Sequence, residues 1–413
     1  MLIALVGSLG AGAFYFFVIH RPYLTVIGPV DMSDGIGRQS LDLMEALSGE
    51  VSIGLIPTTQ IRLHGFQSKV HHLLKFRPKR LGKVIFFEDS FGVKGGTAYK
   101  KLQTLKNPEQ IRIAYSMFES DRIPTEWVPI LNYYFDAVVV PDPFFVDVYK
   151  NSGVTIPIFE IPLGLNLEDF FQKPLKIKRN TPMVFANLSA ALPRKNQLKL
   201  IQAFHAAFGN SPDVRLKINS RYADLATKNG IKQAIQDLGL TNVDFTEMVL
   251  ERPLYVKVFE DIDCYVSLST GEGFSIQPRE SMALGIPAIV TDNTAQSTIC
   301  KSELVRRVAA EQEIPAYYNW FDEVIGKSYD CSIEDATEAL RDVYENYDTY
   351  LSKGEERREW VKQYRFSRLK SKYLNLIKPR SVVLGEENQI TEEGIVTTSR
   401  ELYDKYRTLL GVP

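Results

Sequence analysis

The 413-residue sequence has few cysteines, few histidines and no surplus of either charge. Its three cysteines, Cys264, Cys300 and Cys331, show no short metal-type spacing between any pair. So odd and sparse a set excludes a disulfide framework and points to a reducing compartment. Cys264, inside the apolar run "CYVSLS", reads as a small core residue. Basic and acidic residues number 49 and 50, so nothing global favours nucleic acid. With 26 glycines and 21 prolines the chain is neither fibrous nor disordered in composition. Long apolar runs are also scarce. One exists, Leu2 to Ile19, with 18 uncharged residues. No positive segment precedes it, and apolar sequence follows Ala11-x-Ala13, which argues against a secretory signal. Two readings remain, a membrane anchor through residues 2–19 or a buried helix or strand pair. Arg21 on its C-terminal side favours a cytosolic face for the rest of the chain. The second reading gives a soluble cytoplasmic protein.

What is present is an apolar fraction of 45% spread over a length that suits two domains rather than one core. Short apolar runs alternate with helical stretches. Expected strands are Tyr23 to Val30, Val51 to Pro57, Lys83 to Asp89, Ile111 to Met117, Asp136 to Asp142 and Ile156 to Gly164. Most are apolar on both faces, as parallel strands covered by helices on each side require. Helices are expected over Arg38 to Leu47 and Thr125 to Tyr134. A loop of mixed charge, Asn166 to Pro182, reads as a linker. The rhythm then restarts with strands at Met183 to Ser189, Val214 to Ser220, Asn242 to Met248, Cys264 to Thr270 and Pro287 to Asp292. Helices are expected between them at Lys195 to Phe208, Ile231 to Leu240 and Tyr255 to Ile262. The fold class is therefore α/β, with two Rossmann-like doubly wound domains facing across a cleft. The expected division is an apolar segment over 1–20, domains over 21–175 and 176–365, and a cross-over helix and tail over 366–413.

Several local signals have bland readings. The basic run "KFRPKRLGK" (Lys75 to Lys83) reads as a solvated loop, with an anionic-surface contact as the alternative. The sequon Asn187-Leu-Ser189 falls in an expected buried loop and reads as chance. Gly92, Gly95 and Gly96 fail the spacing of a P-loop. "EDID" (Glu260 to Asp263) contains Asp-x-Asp, but its place between helix and strand fits an ordinary turn. His71, His72 and His205 fall in helical stretches, where packing or surface roles are expected.

Two places have sharper mechanics. Gly35 and Gly37 lie between the first strand and its helix, where glycine amides and a helix N-terminus favour an anion. They do not make GxGxxG, so a dinucleotide is not implied. The stretch "GEGFSIQPRE" (Gly271 to Glu280) follows a buried strand, with Pro278 suited to a first helical turn. Backbone N–H groups from Gly273, Phe274, Ser275 and Ile276 would point to a ligand there, and diphosphate matches them best. Glu272 and Glu280 beside a phosphate site are tolerable where they face ligand hydroxyls.

"STGEGFSIQPRESMALGIPAIVTD" resembles the E-x7-E signature of retaining group 1 (family 4-like) glycosyltransferases with the GT-B fold. "MFESDRIPTEW" with "FDAVVVPDPFFVDVYKNSGV" and "IPLGLN" is similar to the N-domain of many bacterial members, and "FANLSAALPRKNQLKLIQAF" to the opening of their C-domain. The resemblance covers roughly Tyr23 to Leu376. It implies a nucleotide-diphosphate-sugar donor, UDP- or GDP-linked, a glycan, lipid-linked or protein acceptor, and no cofactor or metal. It implies that Glu280 holds the nucleotide ribose, that Glu272 contacts the donor sugar near its anomeric carbon, and that Lys195 neutralises the leaving diphosphate. Gly35 and Gly37 match a glycine loop near the donor phosphates or the acceptor, and Glu119, Asp121 and Arg122 the acceptor side. Two departures are visible. "NLSAALP" carries no cation before Arg194, which can substitute for the family arginine, and "NTAQSTIC" lacks the usual glycine or glutamate. The altered loop leaves one alternative, a catalytically inactive GT-B scaffold that binds a nucleotide sugar or a partner. The helical run "EERREWVKQYRFSRLKSKYLNLI" implies a final helix returning to the N-domain, with Tyr373, Leu374 and Leu376 on its packed side.

Overall fold

The computed structural model describes residues 21–65, 68–75, 80–91 and 109–413. The apolar segment 2–19, the centre of the basic loop and Gly92, Gly95 and Gly96 lie outside those residues. Among the described residues no helix is long and apolar enough to cross a membrane. The chain forms two units. The first holds the residues through Met117, Ile123–Gly164 and Phe366–Pro413, and the second holds Phe118–Arg122 and Leu165–Arg365.

In the first unit β1 (Leu24–Gly28), β2 (Ile53–Pro57), β3 (Val84–Phe87), β4 (Ile111–Tyr115), β5 (Ala137–Val140) and β6 (Ile158–Glu160) form one sheet. Their order is β2-β1-β3-β4-β5-β6, and neighbouring strands are parallel. Every residue of β1, β3 and β5 is buried, which is why these strands are apolar on both faces. The winding reverses between β1 and β3, so the loops leaving those two strands flank the switch point.

The second unit repeats the plan with β7 (Met183–Asn187), β8 (Val214–Ser220), β9 (Val243–Glu247), β10 (Cys264–Ser267), β11 (Ala288–Asp292) and β12 (Arg306–Ala309). The order β12-β11-β10-β7-β8-β9, again parallel, reverses between β7 and β10. Phe185, Leu216, Val266 and Ile289 from these strands join Phe204 and Leu340 from helices Gln197–Phe208 and Ile333–Glu345 in one core. All three cysteines are free and buried. The Asp-x-Asp signal resolves into structure. Fully buried Asp263 accepts from the N–H groups of Asn180 (2.9 Å) and Val184 (2.7 Å) and pairs with Lys176 at 3.0 Å.

Three features depart from the sequence-based division. The first unit gives way to the second after Gly164 rather than 175, because the short helix Glu168–Phe171 buries Phe170 against Tyr255 and Phe259 of the second unit. A hairpin, β13 (Gln312–Tyr318) and β14 (Glu323–Asp330), follows β12 where no strand is expected, since Pro315 and Gly326 break the alternation. The tail also holds a small sheet, β15 (Ser381–Leu384), β16 (Gln389–Ile390) and β17 (Ile395–Thr398). Helix Phe366–Ile377 belongs to the first unit as expected. It buries Tyr373 and Leu376, while Leu374 stays half-buried.

Candidate active site

The loops leaving β7 and β10 flank the switch point of the second sheet, and they carry the charged residues singled out in the sequence. Asn187, the last residue of β7, is buried and donates to Val266 O at 2.8 Å, which ties the two strand ends together. The sequon is therefore inaccessible. After it, Pro193–Lys195 form a single 3-10 turn, and Asn196 turns left-handed (φ 59°) before helix Gln197–Phe208 begins. Lys195 thus precedes the helix rather than opening it. The Thr270 N–H donates to Arg194 O at 2.8 Å and binds the two loops to each other.

Four charges meet there. Lys195 Nζ pairs with Glu272 Oε1. Arg194 reaches Glu272 Oε2 at 3.2 Å, Gly271 O at 3.0 Å and Glu119 Oε1 at 2.7 Å. Arg194 therefore links Glu119 to the E-x7-E loop instead of standing open to a phosphate. Burial by itself would raise the Glu272 carboxyl, but Lys195 and Arg194 outweigh it and hold the group down at about 2. Burial pushes the Lys195 ammonium below the usual lysine range, opposed by Glu272 and reinforced by Arg194. Lys195 and Glu272 are thus paired largely away from bulk water, the condition under which fixed charges act most strongly on a ligand, while Arg194 and Glu119 are half-buried.

The E-x7-E loop is held from three sides. Its start is fixed when the Glu272 N–H donates to Thr294 Oγ1 at 2.9 Å. Ser275 adopts a left-handed conformation (φ 67°) and starts helix Ile276–Ala283. Among the described residues, nothing accepts from the N–H groups of Gly273, Phe274 and Ser275, although all three residues are buried. Buried N–H groups without partners are uncommon and suit an anionic ligand. Glu280 lies one turn further on, fully buried, accepting from Tyr255 Oη at 2.5 Å with Arg252 Nη1 at 3.8 Å.

Arg279 is the residue sequence reasoning missed. Fully buried, it donates from Nη1 to the carbonyls of Phe274 and Ser275, the latter at 3.1 Å. Its guanidinium lies 3.9 Å from the Phe274 ring centroid and 4.4 Å from that of Tyr364. It pins the left-handed turn at Ser275 from its carbonyl side. The one signal for it is a cation beside Glu280 in a short helix that is otherwise uncharged. Thr294 was missed as well, because its role depends on a turn (φ 43°) rather than a motif.

Of the remaining candidates, Asp121 accepts from the Lys327 N–H at 2.7 Å, and Arg122 is exposed, with its carbonyl accepting from Ser120 Oγ. In the first unit Gly35 and Gly37 open helix Gly35–Leu47. The Asp34 carboxylate already takes the N–H groups of Ile36 (3.1 Å) and Gly37 (3.3 Å), so this helix end is capped from within. Gly37 is needed for another reason, since a Cβ there would lie 2.5 Å from Asp31 N. His71 and His72 are exposed on the short helix His71–Lys75, and His205 is half-buried in its helix. Among the described residues no group of three or more His, Cys, Asp or Glu is placed to hold a metal.

The family model described as "Glycosyl transferases group 1" matches residues 169–363. A relative 22% identical over 278 residues, covering 64% of this chain and 75% of its own, is "Uncharacterized protein 356" of Sulfolobus islandicus rod-shaped virus 1. Among solved structures, S. aureus TarM is 17% identical with a TM-score of 0.54 over 71% of this chain. This chain spans 54% of the TarM chain. Anabaena HepE in complex with UDP is 12% identical with a TM-score of 0.60, over 86% of this chain and 99% of its own.

Proposed function

We propose that this chain, whose residues 169–363 match the group 1 glycosyl transferase family model and whose fold is GT-B, transfers a sugar from a nucleoside-diphosphate sugar to a glycan or lipid-linked acceptor with retention of anomeric configuration. The observation that carries this is the pairing of Lys195 with Glu272 on the two loops at the switch point of the second sheet. The donor diphosphate lies against the N–H groups of Gly273, Phe274 and Ser275 and takes Lys195 as its counter-ion. Glu280 accepts from the ribose hydroxyls. Glu272, released from Lys195, faces the transferred sugar and steadies positive charge at its anomeric carbon. The leaving diphosphate accepts the acceptor's proton on the same face. Neutralisation by fixed protein charge makes a metal unnecessary for this step. A UDP donor is favoured over GDP by HepE, solved with UDP and with UDP-glucose, and by TarM, solved with UDP and alpha-GlcNAc-glycerol. Glu119, Asp121 and Arg122 are assigned to the acceptor, and Gly35 and Gly37, the latter with its N–H capped by Asp34, to the donor phosphates or the acceptor. The lipid-linked branch, and placement on the cytosolic face of a membrane, rest on residues 2–19 alone.

A panel of UDP- and GDP-sugars tests the reading by donor hydrolysis and transfer. We expect turnover of at least one UDP-sugar, and losses of about 10²–10³-fold in Lys195→Met and in Glu272→Gln, the scale of removing one charge-stabilising group. UDP binding by each variant checks that the site still folds, because breaking a buried pair is itself destabilising. If both variants keep the parental rate, the mechanism is wrong. UDP binding without turnover in the parent would favour the inactive scaffold.

A further inference from the structure

The turn of hairpin β13–β14 carries two exposed rings and an exposed valine. Tyr317 is 55% exposed, Trp320 75% and Val324 51%. The opposite side of the hairpin is anchored. Tyr318 packs on Phe118 with ring centroids 4.5 Å apart, and Phe321 lies 6.3 Å from the same ring. Ser120 Oγ donates to Ile325 O at 2.7 Å, Asp121 Oδ1 accepts from the Lys327 N–H, and the Asp121 N–H returns to Lys327 O at 3.2 Å. The hairpin is thereby stapled to segment 118–122, whose Glu119 is ion-paired to Arg194 and through it to Glu272.

The tip is also pre-ordered. Tyr317 Oη donates to Asp322 Oδ1 at 2.6 Å, and Asp322 holds a left-handed conformation (φ 52°) to make the turn. Two rings left this open to water gain little from burial in the free chain, and exposed aromatic groups of this kind mark binding sites. Charge selects the occupant. Residues 312–330 hold one cation, Lys327, already paired with Glu313, while Asp322 and Glu323 are exposed beside the rings. Such a tip repels anionic lipid and nucleic acid. It suits a neutral, hydroxyl-rich chain, whose C–H faces stack on aromatic rings and whose hydroxyls donate to carboxylates.

We propose that the hairpin tip is a docking platform for a saccharide chain, with Tyr317 and Trp320 as the stacking faces and Asp322 and Glu323 as the hydroxyl acceptors. The proposal rests on the glycosyltransferase reading, since it makes the hairpin an extension of the acceptor side, and it names the acceptor class as a neutral glycan.

Tryptophan fluorescence of the full chain tests it, because Trp320 is far more exposed than buried Trp127 and half-buried Trp360. The probes are dextran, yeast mannan and xylan, with phosphatidylcholine and phosphatidylglycerol vesicles in parallel. We expect a saturable emission change with at least one glycan and none with either vesicle. Trp320→Ala and Tyr317→Ala, followed by calorimetry, should weaken that glycan by about tenfold or more. Tyr317→Phe, which keeps the ring and loses the Asp322 bond, should fall between. Donor hydrolysis should stay within about twofold of the parent in all three variants, as expected for exposed residues away from the reacting atoms. The proposal is overturned if no glycan gives a saturable change, if the alanine variants bind as the parent does, or if vesicles rather than glycans are captured. Failure of donor hydrolysis in the parent would count against the glycosyltransferase reading instead, and the glycan titration does not depend on it.

Discussion

Glu88 follows β3 directly, at the switch point of the first sheet, and is fully buried. Burial, with Asp42 adding to it and Ser40 and Gln39 pulling back, raises its carboxyl from an ordinary 4.5 to about 8. A folded-state value above the unfolded one means that this group's stability is fully present below about 4.5 and is lost as pH climbs through about 8. The parent should therefore lose roughly 5 °C or more of melting temperature between pH 5 and 8.5. Glu88→Gln, which cannot ionise, should flatten that slope and melt above the parent at pH 8.5. Parallel melting curves across the pH range for the two proteins would rule the effect out. Nothing in "FFED" announces this, because a carboxylate at a strand end reads the same whether buried or wet. Glu272 and Lys195 were legible for the opposite reason. Their place at strand ends followed from apolar runs, and each falls in a stretch that resembles a family motif, Glu272 in E-x7-E and Lys195 in "PRKN". Arg279 and Thr294 act through the backbone of one turn, and turns held by single side chains leave no periodic trace.

Among the elements, the parallel strands were readable because burial on both faces makes continuous apolar runs. The hairpin was not. Its outward residues include Tyr317 and Val324, its inward ones Ala316 and Ser328, and this inverted polarity defeats an alternation count. Gly271 does not take a positive φ, so backbone freedom is not why glycine stands there. It is needed because a Cβ would fall 2.1 Å from Glu119 O. The E-x7-E loop and segment 118–122 touch backbone to backbone at that point. Gly271→Ala must push one from the other and carry Glu272 out of line with Lys195. Displacements near 1 Å at a catalytic group cost about 10²-fold in rate. We expect a loss of that size in transfer with UDP binding retained, measured by steady-state kinetics and calorimetry. A Gly271→Ala enzyme with parental turnover would show that this close approach is dispensable.

Across the whole molecule the chain leaves the first unit twice and returns twice, the last time at Phe366. The final segment completes the first unit's core. Tyr373 Oη accepts from Gln39 Nε2 and donates to Pro162 O, both at 2.8 Å, and its ring meets Phe86 and Tyr115. Tyr406 Oη donates to Leu376 O, Lys405 pairs with Asp136, and Tyr23 Oη donates to Ile377 O. Leu369, Tyr373, Leu376, Ile377, Val382, Val396, Leu402 and Tyr406 are all buried. Each large side chain so buried contributes about 1.5–3 kcal/mol, and a set of eight matches or exceeds the roughly 5–15 kcal/mol that keeps a domain folded. The second unit owes this segment none of its strands. A chain ending at Arg365 should therefore lose the first unit and keep the second. Limited proteolysis read by mass spectrometry should show new cuts throughout 21–115 and 123–164, with 183–345 protected as in the full chain. One melting transition should survive where the parent has the contributions of both units. Protection of 21–115 in the truncated chain would mean that the first sheet holds without its returning helix. The burial of Tyr373 against Gln39 and Pro162 would then be an accessory to the fold and not a condition of it.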